Sequence, residues 1–201
     1  MKLSFFNHTN QQYYKYWGLI FCMLSVSINL QAQKIGTKLG TVECINDNCF
    51  SIMAVGSSNG LEYVCFTSPW MADRQVKIPR ENLNQAINSI RIVKTKFNEW
   101  NRAIQGKGFK GHRKDIPTHN SVYTREKPWK DWHPIAEELY YTYFVDWSGN
   151  TSVEVEMSLG NSSTFCFYLT SNGIDEFYRL LSNANSLFMQ SDDMEFNYLL
   201  K

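Results

Sequence analysis

Ser152-Val-Glu-Val-Glu-Met-Ser-Leu159 alternates apolar and polar side chains with a strict period of two. This period is typical of a β-strand that packs one face against a core. The pattern predicts that the apolar set faces the core, whereas Glu154 and Glu156 face solvent. Runs rich in aromatic and β-branched residues flank this stretch at 139–145 and 164–169, beyond turn-forming residues. The last part of the chain therefore reads as three antiparallel strands.

An amphipathic helix is predicted after these strands. Apolar residues recur at helical spacing over 174–188, and Asn172 and Asp175 have the spacing of a capping box. The same kind of pattern runs over 79–104, where a proline suits the first helical position and Gly106 follows the last apolar residue. We predict two amphipathic helices.

Strand patterns also precede the longer helix. They lie at 40–45, 50–55 and 61–66, with a short fourth one at 75–78. The two halves of the chain thus share the order strand, strand, strand, helix. We predict an α+β fold of two β-β-β-α units, in which each antiparallel sheet is packed by one amphipathic helix.

The predicted units span 33–105 and 134–201. The segment 106–133 between them has no sustained period and reads as a basic loop or linker that contains Trp and His residues. Met53-Ala-Val-Gly56 matches Met157-Ser-Leu-Gly160 locally, which favours an internal duplication. The alternative is that the two halves are unrelated and share this order of elements because such residues commonly form hairpins.

The first residues have the order of a secretory signal peptide. Two lysines and no acidic residue precede or flank the apolar run 17–30, which Gln31-Ala-Gln33 follows. The run is 14 residues long, whereas a membrane-spanning helix needs about 20, so a retained anchor is the weaker alternative. We predict that residues 1–32 are removed after Ala32 and that the protein is periplasmic or secreted, without a stable membrane anchor.

Charge is distributed unevenly along a chain whose formal net charge is only +1. Residues 106–133 contain seven basic and three acidic side chains, whereas residues 134–201 contain two basic and ten acidic ones. A basic surface spread over the whole chain is absent, so no nucleic-acid partner is predicted. The basic segment either lies against the acidic half of the same molecule or supports salt-sensitive self-association.

Four cysteines follow the predicted cleavage site, and an even number favours disulfides in an oxidising compartment. Cys44 and Cys49 flank a turn-rich Asn-Asp-Asn sequence and would close a hairpin. Cys65 and Cys166 occupy equivalent places in the two halves and are the second candidate pair. Buried free thiols are the alternative. No second Cys or His pair follows at zinc spacing, so no metal site is predicted.

Motifs for catalysis are weak. Gly106-Lys-Gly-Phe-Lys-Gly111 has the letters of a dinucleotide fingerprint, but a helix pattern precedes it where a strand is required, so no nucleotide or other cofactor is predicted. His112, His119 and His133 lie in the same segment as Asp131, yet their spacing fixes no shared face. We predict no catalytic residues, and a small secreted hydrolase that uses these histidines is the alternative.

The segment 127–134 combines two tryptophans with lysines and a histidine between two prolines. Flat rings beside cations suit a sugar, a peptide or an aromatic ligand. We predict ligand contacts from Trp129, Lys130, Trp132 and His133. Tryptophans that fasten this loop to the domain are the alternative.

The sequence as a whole predicts an exported, non-catalytic binding protein that recognises a protein or an envelope glycan. Export and the missing nucleophile–base set support this interpretation. A partner protein that neutralises a secreted toxin is a further alternative, because the second half is strongly acidic.

Overall fold

A curled antiparallel sheet and three helices form the part of the chain that the computed structural model describes, residues 35–45, 50–57, 59–67, 75–125, 131–134, 136–158 and 164–190. The strands are β1 (Ile35–Val42), β2 (Phe50–Ser57), β3 (Gly60–Thr67), β4 (Gln75–Pro79), β5 (His112–Ile116), β6 (Ser121–Arg125), β7 (Glu137–Val145), β8 (Thr151–Ser158) and β9 (Thr164–Leu169). The helices are α1 (Arg80–Ile104), α2 (Ser171–Ser182) and α3 (Ala184–Gln190).

All nine strands belong to one sheet, with the order β1-β2-β3-β4-β6-β7-β8-β9 and with β5 also paired to β7. The predicted α+β class with antiparallel strands is therefore confirmed. The sheets of the two halves join edge to edge, because β4 pairs with β6. Parallel pairing does not occur among the described strands.

The segment 106–133, predicted to be a loop or linker, contains the strands β5 and β6. Both pair with the same edge of β7, since Ile116 lies opposite Tyr141 and Ser121 lies opposite Glu138. They act as one long strand that residues 117–120 interrupt. The sequence does not indicate β5, because its first four side chains are exposed and show no apolar alternation. Backbone pairing with β7 defines this strand.

The sheet curls until its two ends approach each other. Cys44, just after β1, forms an antiparallel bridge with Leu169 in β9. The rings of Phe50 in β2 and Phe167 in β9 are 4.6 Å apart between centroids. A curled sheet encloses its concave face, and α1 and α2 contact each other and the strands there. The buried core lies between the helices and the sheet.

The alternation in β8 is confirmed for its apolar face, since Val153, Val155 and Met157 are all buried. Leu159 lies outside the described residues. The pattern predicts that Glu154 faces solvent, but the residue is only 5% exposed. The reason is a tertiary one. Arg113 of β5 and two side chains of β9 cover the carboxylate.

Both predicted helices form. α1 follows Pro79 and buries the apolar stripe that the sequence indicated. The second pattern is split at Asn183 into α2 and α3, and its cap is Thr170, whose hydroxyl accepts the Gly173 N–H at 3.0 Å, rather than Asn172. Among the described residues, no helix is both long and apolar enough to span a bilayer. The predicted signal peptide, residues 1–32, lies outside the described residues.

Candidate functional site

Trp132 lies against the sheet face opposite the helices, where it meets side chains of β3, β4 and β6. We call Tyr63, Lys77, Tyr123, Arg125 and Trp132 the Trp132 cluster. The Lys77 Nζ lies 4.8 Å and the Arg125 guanidinium 4.4 Å from the centre of the Trp132 ring. Tyr63 meets the same ring edge to face at 5.8 Å, and Lys77 also lies 4.9 Å from the Tyr123 ring.

Residues 131–134 are fastened to the sheet at this point. The His133 backbone N–H donates to the Thr124 carbonyl oxygen at 2.7 Å, and Arg125 Nε donates to Gln75 Oε1 at 2.5 Å. The His133 side chain is exposed. Trp129 and Lys130 lie outside the described residues, so ligand contacts from these four residues stay a prediction. The contacts of Trp132 favour the alternative that this residue fastens the loop to the domain, because Lys77 and Arg125 already lie at its ring.

The described cysteines do not form the second predicted pair. Cys65 is a buried free thiol and Cys166 an exposed one. Burial raises the pKa of Cys65 to about 12, and burial also raises that of its neighbour Tyr63 to about 12. Cys44 is buried. Cys49 lies outside the described residues, so the Cys44–Cys49 disulfide stays a prediction.

The three histidines of the connecting segment have three different surroundings. His112 lies in β5 beside Phe109, and His119 Nδ1 is 3.3 Å from Glu138 Oε1. His133 is near Glu137, whose carboxyl pKa is raised by burial and lowered to a lesser extent by this histidine. The structure therefore does not bring the histidines together. The described residues include no cluster of His, Cys, Asp and Glu that could hold a metal ion.

A cavity of about 290 Å³ opens where α1 ends against β5 and β7, and we call it the helix-end cavity. Trp100, Ala103 and Ile104 line it from one face of the last helical turns, because residues three and four apart lie on the same side. The remaining lining residues come from the following loop, β5 and β7: Phe109, His112, Arg113, Lys114, Tyr143 and Val145.

Aromatic rings form the wall of this cavity. Trp100 meets Tyr143 edge to face at 5.4 Å, and Phe109 lies 5.0 Å from the imidazole of His112. The Tyr143 hydroxyl donates to Asn101 Oδ1 at 2.7 Å, and burial raises its pKa, so the phenol stays protonated. Phe109 is 41% exposed, which places an apolar ring at the opening. The cavity thus combines an apolar wall with a few oriented polar groups.

The loop between α1 and β5 is held by a glycine contact. Gly111 has a φ of +64°, and a Cβ on it would lie 2.8 Å from the Trp147 ring. Its N–H donates to the Asp146 carbonyl oxygen at 3.2 Å. Hydrogen bonds from Asn150 and its neighbours in the β7–β8 turn lower the Asp146 pKa. These contacts join the loop that carries Phe109 to an ordered turn.

Arg113 of β5 forms an ion pair with the buried Glu154 of β8. Cys166 Sγ donates to Glu154 Oε1 at 3.3 Å and the Tyr168 hydroxyl donates to the same oxygen at 2.9 Å. Burial and the Glu154 carboxylate raise the pKa of Cys166 to about 12 and also raise that of Tyr168. A thiol with a raised pKa is a weak nucleophile, so this cluster positions β5 rather than performing chemistry.

Few features of the sequence indicate the helix-end cavity. The apolar stripe of α1, to which Trp100 and Ile104 belong, predicts burial in the core, and the sequence marks His112 only as a candidate base. The charged run His112–Lys114 beside an aromatic residue was the available signal. No family model matches this chain, and no curated protein or solved structure shows significant similarity to it.

Proposed function

We propose that this chain is an exported, non-catalytic binding protein that holds a small ligand in the helix-end cavity. The observation that carries the proposal is a concave site with rings of Trp100, Phe109 and Tyr143 and polar groups at its edge. Small-molecule sites are typically concave and mostly apolar, with a few placed polar groups. The volume of about 290 Å³ lies at the lower end of such pockets, so the ligand is small.

Binding fits the polar groups of the cavity better than catalysis does. The Tyr143 hydroxyl donates to Asn101, and its raised pKa keeps it neutral. Arg113 is engaged with Glu154. Of the three histidines, only His112 is among the residues that line the cavity. Among those described lining residues we find no nucleophile hydrogen-bonded to a base, which is the arrangement that covalent catalysis requires.

The Trp132 cluster has a different role in this proposal. Its two cations lie against the Trp132 ring, and residues 131–134 are tied to β6. We propose that Trp132 fastens this segment to the sheet. A protein or glycan partner, if one binds, would have to displace Lys77 or Arg125 from the ring before it could stack there. Export and the periplasmic or secreted location rest on the pattern of residues 1–32.

We also propose that the fold arose by duplication of a unit of four strands and a helix. One unit is β1–β4 with α1, and the other is the interrupted strand β5–β6 with β7–β9 and α2. In this alignment β2 corresponds to β7 and β3 to β8, so the local match of Met53 in β2 with Met157 in β8 joins non-equivalent strands and does not support the duplication. The bridge between Cys44 and Leu169 then corresponds to the pairing of β4 with β6. Backbones of the two units that fail to superpose by a two-fold rotation would contradict this origin.

The binding proposal is tested by filling the cavity. Ala103 lines it from an exposed position of α1, so Ala103→Trp should occupy the space without disturbing the core. Asn98→Trp adds the same side chain at another exposed position of α1 and is the matched control. The midpoint of thermal unfolding is measured with phenylbutyrate, phenylbutyramide and phenylbutylamine.

We expect at least one probe to raise the midpoint of the wild-type chain and of Asn98→Trp, but not of Ala103→Trp. A ligand that binds only the folded state stabilises it by RT ln(1 + [L]/Kd), so the midpoint rises only for a chain that binds the probe. The proposal is wrong if no probe stabilises the wild type, or if Ala103→Trp responds as the wild type does.

A further inference from the structure

The surroundings of the helix-end cavity are strongly cationic. Residues 102–115 contain five Lys and Arg side chains and one Asp. Arg113 is matched by Glu154, which leaves four cations in this stretch. The one aspartate, Asp115, accepts a hydrogen bond from the Thr142 hydroxyl at 3.1 Å. Positive charge therefore dominates the approach to the cavity.

One of these cations lies on the aromatic wall itself. The Lys114 Nζ lies 4.2 Å from the centre of the Trp100 ring. This cation–π contact holds the ammonium group at the edge of the apolar surface while its N–H groups remain donors. His112 is two residues away in β5 and therefore lies on the same face of that strand. An anionic group at this edge would meet Lys114 and His112 together.

The end of α1 opposes an anion only weakly. A helix C-terminus carries about half a negative unit charge on its last carbonyl groups. Two of these carbonyls are already engaged, because the Gln105 N–H donates to Asn101 O at 3.1 Å and the Lys107 N–H donates to Ile104 O at 2.9 Å. The four remaining Lys and Arg side chains less Asp115 leave a net of three positive charges in this stretch, which exceeds the partial charge of the helix end.

We propose that the helix-end cavity selects a small organic monocarboxylate, whose carboxylate binds Lys114 beside His112 and whose apolar body lies against Trp100, Ile104 and Phe109. This inference rests on the proposed function, because it names the ligand class of the same cavity. A volume of about 290 Å³ suits an apolar body of one ring or a short acyl chain. A charge-assisted hydrogen bond to the ammonium would set the orientation of the ligand.

The test compares each acid with its uncharged amide. Dissociation constants of phenylbutyrate, octanoate and their two amides are measured by calorimetry for the wild-type chain at low salt. The variant Lys114→Met removes the charge and keeps the length of the side chain. Lys38→Met does the same at an exposed position of β1 and is the matched control. Lys114→Arg restores the charge.

We expect at least one acid to bind about fivefold more tightly than its amide, as is reasonable for a partly exposed ion pair. Lys114→Met should abolish that preference, whereas Lys38→Met and Lys114→Arg keep it. The ratio should also fall in high salt, because exposed charges are screened.

Equal affinities for acid and amide in the wild type, or a ratio that Lys114→Met leaves unchanged, would overturn the inference while the proposed function stands. If neither acids nor amides bind, the proposed function fails as well. Comparison of phenylbutyrate with octanoate shows whether the cavity prefers an aromatic ring or an acyl chain.

Discussion

The Lys114 ammonium and the Trp100 indole are in contact, with Nζ 4.2 Å from the ring centre, although they come from elements on either side of a glycine-rich loop. Trp100 lies in the last turns of α1 and Lys114 in β5. The contact depends on the path of residues 105–111, so the loop determines the shape of the helix-end cavity. The first prediction therefore concerns that loop.

Gly111→Ala should destabilise the chain more than Gly106→Ala does. Both glycines have positive φ, +64° and +73°, so each alanine pays left-handed backbone strain of about 1 kcal/mol. Only at Gly111 does the new Cβ also meet a ring, that of Trp147, at 2.8 Å. Because the Trp147 ring is exposed and can turn aside, we expect a small additional loss, up to about 0.5 kcal/mol, in the free energy of unfolding by denaturant titration. Combining Gly111→Ala with Trp147→Ala should remove that excess, and equal losses for the two glycines would contradict the contact.

Trp132→Ala should lower stability by about 1–2 kcal/mol, because two cations and the Tyr63 ring lose their contact with the indole. Trp147 is 79% exposed, and Trp147→Ala should change stability by less than about 0.5 kcal/mol. Thermal and denaturant unfolding of both variants measure the difference. A Trp132→Ala variant as stable as the wild type would favour the ligand-binding interpretation of this residue over the fastening one.

Cys166 should react slowly with iodoacetamide at pH 8 although it is exposed. Burial and the Glu154 carboxylate raise its pKa to about 12, and only the thiolate reacts. Glu154→Gln removes the negative charge, lowers the pKa and should accelerate alkylation several-fold, as mass spectrometry of the labelled peptide would show. Glu156→Gln removes a carboxylate with a smaller effect on this thiol and should accelerate it less. Equal rates for wild type and Glu154→Gln would show that the carboxylate does not control this thiol.

Stability should fall as the pH rises from about 9 to about 12. Burial raises the pKa of Cys65 from 9.0 to about 12 in the folded state, so the unfolded chain loses this proton first. The stabilisation is complete below pH 9 and is lost as the pH approaches 12, with a slope of up to about 1.4 kcal/mol per pH unit from this group. Cys65→Ala should make the fall shallower between pH 9 and 11 in denaturant titrations. An unchanged slope would mean that the thiol ionises as readily in the fold as outside it.

Periodic patterns in the sequence were sufficient to predict β8, α1 and most of α2, because each pattern reports a face that packs on a core. Tertiary pairing is invisible to such patterns. The strand β5 has four exposed side chains and is defined by its register on β7. Glu154 is buried by Arg113, which is 41 residues away in the chain.

The helix-end cavity was beyond prediction for the same reason. It brings together the end of α1, Phe109, β5 and two residues of β7, and no local pattern links those segments. The surroundings of Trp132 could be predicted in part. The composition of its neighbourhood indicates a special role, but only the fold shows that Lys77 and Tyr63, more than fifty residues earlier, are the groups that meet its ring.

Proton–nitrogen correlation NMR during a titration with phenylbutyrate tests the central claim most directly. The account predicts saturable shifts at the Trp100 indole N–H and at the Gly111 and Lys114 amides, with the Trp132 indole unchanged. Trp100→Phe identifies the first of these signals by its disappearance. Shifts centred on Trp132, or no saturable shift at Trp100, would contradict a ligand in the helix-end cavity.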